Sequence, residues 1–85
     1  MNASGKRIEV KAPMSGVFYR QSGPDESPYV QEGDTVGKKQ VLALLETMKV
    51  FQKVKSPASG TVVEIVVDNE TPVMDGDVMM VIEKG

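Results

Sequence analysis

Ala12-Pro13-Met14-Ser15-Gly16-Val17 returns 44 positions later as Ser56-Pro57-Ala58-Ser59-Gly60-Thr61, with proline and glycine in step. The correspondence continues beyond this pair. Val30, Val36, Val41, Leu44, Leu45 and Glu46 match Val67, Val73, Val78, Val81, Ile82 and Glu83 at a constant shift of 37. One unit therefore occurs twice, and its first copy carries seven extra residues between Gly16 and Val30. A repeated unit that cannot bury its own apolar face is completed by its neighbour. Two halves sharing one core across a quasi-two-fold axis are expected. The end of the second copy then lies beside the start of the first, which brings the chain termini together at one end of the domain. The connection between copies, Thr47 to Lys55, projects from the other end.

The apolar residues fall in short, β-branched runs: Ile8 to Val10, Gly16 to Tyr19, Val41 to Leu45, Thr61 to Val67 and Val78 to Ile82. Gly, Pro and Asp punctuate them, and no stretch has the length and period of a useful helix. Many short strands in a sandwich or barrel are expected.

The 85 residues make one domain, near the size at which a hydrophobic core becomes marginal. Cysteine and histidine are both absent. Disulfides, thiolate and imidazole metal ligands, and Ser-His or Cys-His nucleophile pairs are thereby excluded, and a complete active site within the chain is not expected. A net charge of -2 offers no broad basic field to nucleic acid or anionic membranes. No apolar run approaches the roughly 20 residues that cross a bilayer. The opening residues Met1 to Arg7 lack the apolar stretch of a secretory signal. A cytoplasmic protein with neither nucleic acid nor membrane among its partners is expected.

The chemistry is expected in the connection, Leu45-Glu46-Thr47-Met48-Lys49-Val50-Phe51. One strand enters at Val41 and another leaves from Val50, so Met48-Lys49 fits a two-residue hairpin loop. Such loops normally take Asn-Gly, because both central residues need positive φ. A local rule broken at an exposed tip hints at function. A lysine there holds a flexible primary amine away from the body, within reach of an acylating enzyme. A lone hairpin lysine is ordinarily a solvated surface residue, as most of the ten basic residues here must be; the neighbours of Lys49 set it apart.

Glu46-Thr47-Met48-Lys49-Val50, with the apolar strand before it and Ser56-Pro57-Ala58-Ser59-Gly60 after it, resembles the attachment motif of the biotinyl/lipoyl domain family. The resemblance runs from about Ala12 to Glu83. Within that family the residues are most similar to the biotin carboxyl carrier proteins of bacterial acetyl-CoA carboxylase. It implies biotin joined by an amide to Lys49, with Thr47, Met48 and Val50 forming the motif around it. Related lipoyl domains usually place Asp before the modified lysine and Ala after it, so Met48 and Val50 favour biotin. Thr47, common in lipoyl domains, weighs weakly the other way. The family most often has Ala at position 47 and Met at position 50.

Phe18 to Tyr29, which holds the seven extra residues, resembles the segment bearing the protruding thumb of that carrier subgroup. Its closest correspondence is Phe18-Tyr19-Arg20 and Pro24-Asp25. Two prolines stiffen an excursion rich in Gly, Ser and Asp, as befits a surface loop with its tip at Ser22 to Pro28. The resemblance implies thumb contacts with biotin from Pro24, Asp25, Glu26 and Ser27.

The expected fold is all-β: a flattened barrel or sandwich of two four-stranded antiparallel sheets with quasi-two-fold symmetry, a single domain over residues 1–85 with its core at about 8–84. The expected function is a non-catalytic carrier that moves a carboxyl group between biotin carboxylase and carboxyltransferase sites, after loading by a biotin protein ligase. A lipoyl carrier and an unmodified interaction module are the alternatives. Other features read as structure. Met79 and Met80 are adaptable core filler. Asp75-Gly76-Asp77 is a turn before the last strand, without the carboxylates that complete a calcium loop. Gly33-Asp34-Thr35-Val36-Gly37-Lys38-Lys39 has the wrong glycine spacing for a phosphate loop. Phe51, Lys53 and Lys55 on one strand are a remote option for binding single-stranded nucleic acid.

Overall fold

The structure, a computed structural model, describes residues 6–85; the expectation of no secretory segment falls largely on residues 1–5, outside the described residues. The described residues form eight strands: β1 (Arg7–Lys11), β2 (Gly16–Tyr19), β3 (Thr35–Val36), β4 (Val41–Thr47), β5 (Val50–Lys55), β6 (Gly60–Ile65), β7 (Thr71–Val73) and β8 (Val78–Lys84). They make two four-stranded sheets, ordered β1-β8-β6-β3 and β5-β4-β2-β7, and every pairing is antiparallel. The body is flattened, 44 × 27 × 20 Å. No helix of the described residues is long and apolar enough to cross a membrane.

The repeat read from the sequence is the symmetry of the fold. A shift of 44 carries β1 and β2 onto β5 and β6, and a shift of 37 carries β3 and β4 onto β7 and β8. Applied together, the two shifts turn the order β1-β8-β6-β3 into β5-β4-β2-β7, so each sheet maps onto the other. Loop hydrogen bonds repeat as well. Ala12 N donates to Asp77 O and Ser56 N to Gln40 O; Gly76 N donates to Ala12 O and Lys39 N to Ser56 O, all at 2.8 Å. Ser15 Oγ accepts from Asp75 N, and Ser59 Oγ from Lys38 N, both at 3.1 Å. The matched residues quoted first are thus the corners at which both copies turn.

The inner faces of both sheets supply one core. Phe18, Leu42, Leu45, Val62, Met79, Met80 and Ile82 are its largest fully buried side chains, drawn from both copies. The two ends of the described residues meet, since Arg7 pairs with Glu83 and Lys84 N donates to Lys6 O at 2.8 Å. The two-fold counterpart of that junction is the β4–β5 hairpin, where the chain is continuous. The run expected to reach Val67 ends as a strand at Ile65; Val66 N still donates to Met79 O at 2.9 Å, while the Val66 side chain is half-exposed.

The symmetry shows where one copy departs from its better residue. Gly76 has φ 91°, and its counterpart Lys39 has φ 73°. A side chain in this left-handed region costs about 1–2 kcal/mol, partly offset by glycine's greater entropy when unfolded. Lys39→Gly is expected to stabilise the fold by about 0.5–1 kcal/mol, read as a higher urea midpoint at unchanged slope. A lower midpoint would contradict this reading of the turn.

Candidate functional site

β4 runs through the interior of its sheet, paired with β2 on one side and β5 on the other. Leu42 to Leu45 are buried, anchoring the strand from beneath. Beyond them the register Leu45↔Gln52, Glu46↔Phe51, Thr47↔Val50 leaves Met48 and Lys49 as the whole loop. Met48 has φ 46° and Lys49 φ 70°, the double positive φ of a type I′ turn. Neither side chain suits this conformation, so the tip holds them there at a cost to the fold. Met48 is 95% exposed and Lys49 is exposed. Val50 is exposed too, whereas Thr47 is half-buried and its methyl lies against Gly16. The four residues expected to form the motif therefore come together as the tip and last rung of one hairpin. Lys39 is also exposed at positive φ, but it follows another lysine in a loop rather than crowning a paired stem.

The stem is tied to β2 through side chains. Tyr19 Oη donates to Glu46 Oε1 at 2.9 Å, and the Tyr19 and Phe51 rings lie 5.8 Å apart at 58°. The hydrogen bond to Glu46 raises the Tyr19 hydroxyl above its ordinary value, helped by partial desolvation and by the Glu46 and Glu70 carboxylates. Because the folded value is raised, the protonated hydroxyl contributes stability that is complete below the unfolded value near 10 and is lost as pH climbs through the higher folded value. In an alkaline titration, Tyr19 is expected to ionise above 10, and Glu46→Gln to move it back towards 10. The tyrosinate absorbance that Tyr19→Phe removes isolates it; ionisation below 10 in the parent would contradict the contact.

The segment that holds the seven extra residues leaves β2 as a loop. Tyr29 N donates to Arg20 O at 2.8 Å, closing its base, and Glu26 N donates to Gly23 O at 3.1 Å, making the turn at its tip. Gln21 Nε2 braces that turn through Gly23 O at 2.8 Å, and Arg20 N reaches Asn69 Oδ1 at 2.8 Å. Between this excursion, the hairpin stem and the β6–β7 loop lies a cleft of about 230 Å³. Tyr19, Phe51 and Pro24 give it apolar surface, and Gln21, Glu46, Asn69 and Glu70 are among its polar lining. Of the four thumb contacts expected from the resemblance, Pro24 lines the cleft; Asp25, Glu26 and Ser27 are exposed and do not line it. Glu46 belongs to the motif read from the sequence; Tyr19, Gln21 and Asn69 join it only in the fold, because the β2–β4 register and the loops beside it bring such distant positions together. A larger groove of about 350 Å³, lined by Arg20, Gln31, Glu32, Ile65, Val67 and Asp68, includes no residue of the hairpin. The described residues contain no cluster of carboxylates able to hold a metal ion.

The scaffold is thus a doubled all-β fold with an exposed lysine at the tip of one paired hairpin. The profile of the biotin/lipoyl family, described as "Biotin-requiring enzyme", matches residues 8–82, and the chain belongs to that family. It is 47% identical over 64 residues, 75% of this chain and 23% of the relative, to the biotin carboxyl carrier protein of acetyl-CoA carboxylase 1 (chloroplastic) of Arabidopsis thaliana. It is 46% identical over 61 residues to the biotin carboxyl carrier protein of acetyl-CoA carboxylase of Streptococcus pyogenes serotype M6, covering 72% of this chain and 37% of that one. The chain thus spans well under half the length of these relatives. Among solved structures, a single-chain, multi-domain long-chain acyl-CoA carboxylase shares the fold, with TM-score 0.81 and 19% identity over 100% of this chain and 8% of that chain.

Proposed function

We propose that the chain is the biotin carboxyl carrier domain of an acyl-CoA carboxylase, acetyl-CoA being the favoured substrate, with Lys49 as the attachment point. A biotin protein ligase loads it; biotin carboxylase and carboxyltransferase then use it in turn. The domain, residues 1–85 with a thumb at 22–28, acts in the cytoplasm as a non-catalytic carrier. The observation that supports this most is an exposed primary amine at a positive-φ hairpin tip with Met48 immediately before it.

The residues present fit biotin. The tip offers an unobstructed amine for the amide bond. The nearby cleft of about 230 Å³ combines apolar rings with carboxylate and amide acceptors, suited to a small neutral bicycle bearing N–H groups. Lys49 would hold it covalently, with Pro24, Tyr19 and Phe51 as apolar surface for its ring. When attached, biotin supplies a ureido nitrogen that takes up a carboxyl group at one active site and releases it at another.

The chain's own work is presentation. β2 and β5 hold β4 from both sides, so Lys49 leaves the body from a fixed point. Tethering keeps the effective concentration high at successive active sites without tight binding at either. Tyr19 occupies one oxygen of Glu46, leaving the other as an acceptor beside the cleft. Attachment needs the amine neutral, so the ligase must remove a proton that an ordinary lysine holds at neutral pH. The test is transfer: the loaded chain, given biotin carboxylase, ATP and labelled bicarbonate, is expected to take up label, then surrender it to acetyl-CoA when carboxyltransferase is added. Thr47 is the residue that favours the lipoyl reading. A lipoyl-sized mass increment on the natively expressed chain, with no label taken up, would establish that reading instead.

A further inference from the structure

The quasi-two-fold gives every position on the outer face of one sheet a counterpart on the other. Phe51, Lys53 and Lys55 of β5 correspond to Arg7, Glu9 and Lys11 of β1, and Glu46 of β4 corresponds to Glu83 of β8. The geometry is shared, so a chemical difference between the two faces is not demanded by the fold. On the β1 side the charges are matched: Arg7 Nε lies 3.9 Å from Glu83 Oε2, and Lys11 Nζ lies 3.8 Å from Glu9 Oε1. These are the ion pairs among the described residues, and neither involves β5. There Lys53 and Lys55 are exposed, Phe51 stands where Arg7 would meet a glutamate, and Glu46 is held by the Tyr19 hydroxyl instead.

The asymmetry extends past the strand. Lys39 N donates to Ser56 O, which sets exposed Lys38 and Lys39 beside the end of β5. Residues 38–55 contain five of the ten basic residues and one of the twelve acidic ones, in a chain whose net charge is -2. Lysines on an edge strand also discourage edge-to-edge pairing. That purpose does not account for the difference, because β1 is equally an edge and carries Glu9 between its cations. Nor does it fit the exposed Met48, Val50 and Phe51 on the same hairpin. Exposed Met and Phe side chains suit burial against a partner, and a one-signed row beside them steers a surface of the opposite charge.

We infer that the outer face along β5, from Phe51 to Lys55 with Lys38 and Lys39 at its end, docks a carboxylate-rich surface of the enzyme that loads Lys49. This rests on the carrier reading of Lys49 and adds the surface by which the loading enzyme recognises the domain. Charge complementarity selects that partner, and Lys49 itself supplies the reason for choosing the loading step. Its ammonium adds a fifth positive charge to the row before the reaction and none after amide formation, so the same surface attracts the unloaded domain and weakens its hold on the loaded one.

The test compares ligase-catalysed loading, with biotin and ATP supplied, of the parent chain, of Lys53→Glu/Lys55→Glu, and of Lys11→Glu/Lys84→Glu, which makes the same charge change on the other sheet. Circular dichroism checks that all three are folded. The β5 variant is expected to lose about tenfold or more in kcat/KM at low salt, chiefly through KM, while the control stays within about twofold. Raising the salt should slow the parent and narrow its gap to the β5 variant, as screening removes the attraction. Equal rates for all three chains, equal losses in both variants, or a salt-independent parent would overturn the docking face and leave the carrier reading standing. A parent chain that gains no mass from an active ligase would overturn the carrier reading, and the docking inference with it.

Discussion

Lys49→Arg is expected to gain no mass from a biotin ligase under conditions that load the parent chain completely. Arginine keeps the positive charge and nearly the reach, so recognition by charge and shape survives. What changes is the nucleophile. The guanidinium ionises some 2–3 units above an ammonium, making its neutral form scarcer by on the order of 10²–10³-fold, and its nitrogens share their lone pairs with the central carbon. Stability should change by no more than about 0.5 kcal/mol, since Lys49 is exposed and both side chains bear the same cost of positive φ. Intact mass and a urea melt on one preparation separate lost loading from lost folding. Substantial loading of Lys49→Arg would remove Lys49 from the account.

The second large effect concerns the fold. Gly16 and Gly60 are two-fold counterparts, and each lies against a carbonyl of the strand that ends its copy: Glu46 O for Gly16 and Glu83 O for Gly60. A Cβ at Gly16 would sit 2.6 Å from Glu46 O and 2.8 Å from Thr47 Cγ2. At Gly60 the collision is closer still, and its neighbours are all backbone: Glu83 O, Glu83 C and Lys84 Cα. A side-chain methyl can rotate away; paired backbone cannot without breaking β6 from β8. Gly60→Ala is therefore expected to cost about 3 kcal/mol or more, a large share of what holds a domain this size together. Gly16→Ala should cost less globally while disturbing Thr47 and slowing loading. Gly37→Ala, where a Cβ would meet nothing within 4 Å, is the control and should be nearly neutral. A Gly60→Ala chain as stable as the control would contradict the close approach of these strands.

The fold was legible largely because the chain states it twice. Pro13 with Gly16, and Pro57 with Gly60, mark equivalent corners, and the constant offset from Val30 to Glu46 marks which runs are equivalent in the two copies. β3 and β7 escaped notice because two and three residues are too short to show a period of two. They follow only from Val36 and Val73 occupying equivalent places beside β6 and β2. The β4–β5 hairpin was legible for the opposite reason: Met48-Lys49 is the wrong chemistry for the turn it makes, and a function is the simplest cause of such a conflict. Its surroundings were hidden. Tyr19 and Glu46 are 27 residues apart and meet only through the β2–β4 register, and Phe51 joins them through β4–β5. The row formed by Lys53 and Lys55 was visible as letters, but its meaning needed the matched ion pairs on β1 for comparison.

The claim on which the rest depends is that one amine among the lysines of this chain carries biotin. Fragment mass spectrometry of the chain, loaded by a ligase and then digested, tests it most directly. A biotin-sized increment placed by the fragment ions on Lys49, with Lys39, Lys53 and Lys55 unmodified, is the predicted result. An increment on one of those other lysines, or none at all with an active ligase, would contradict it.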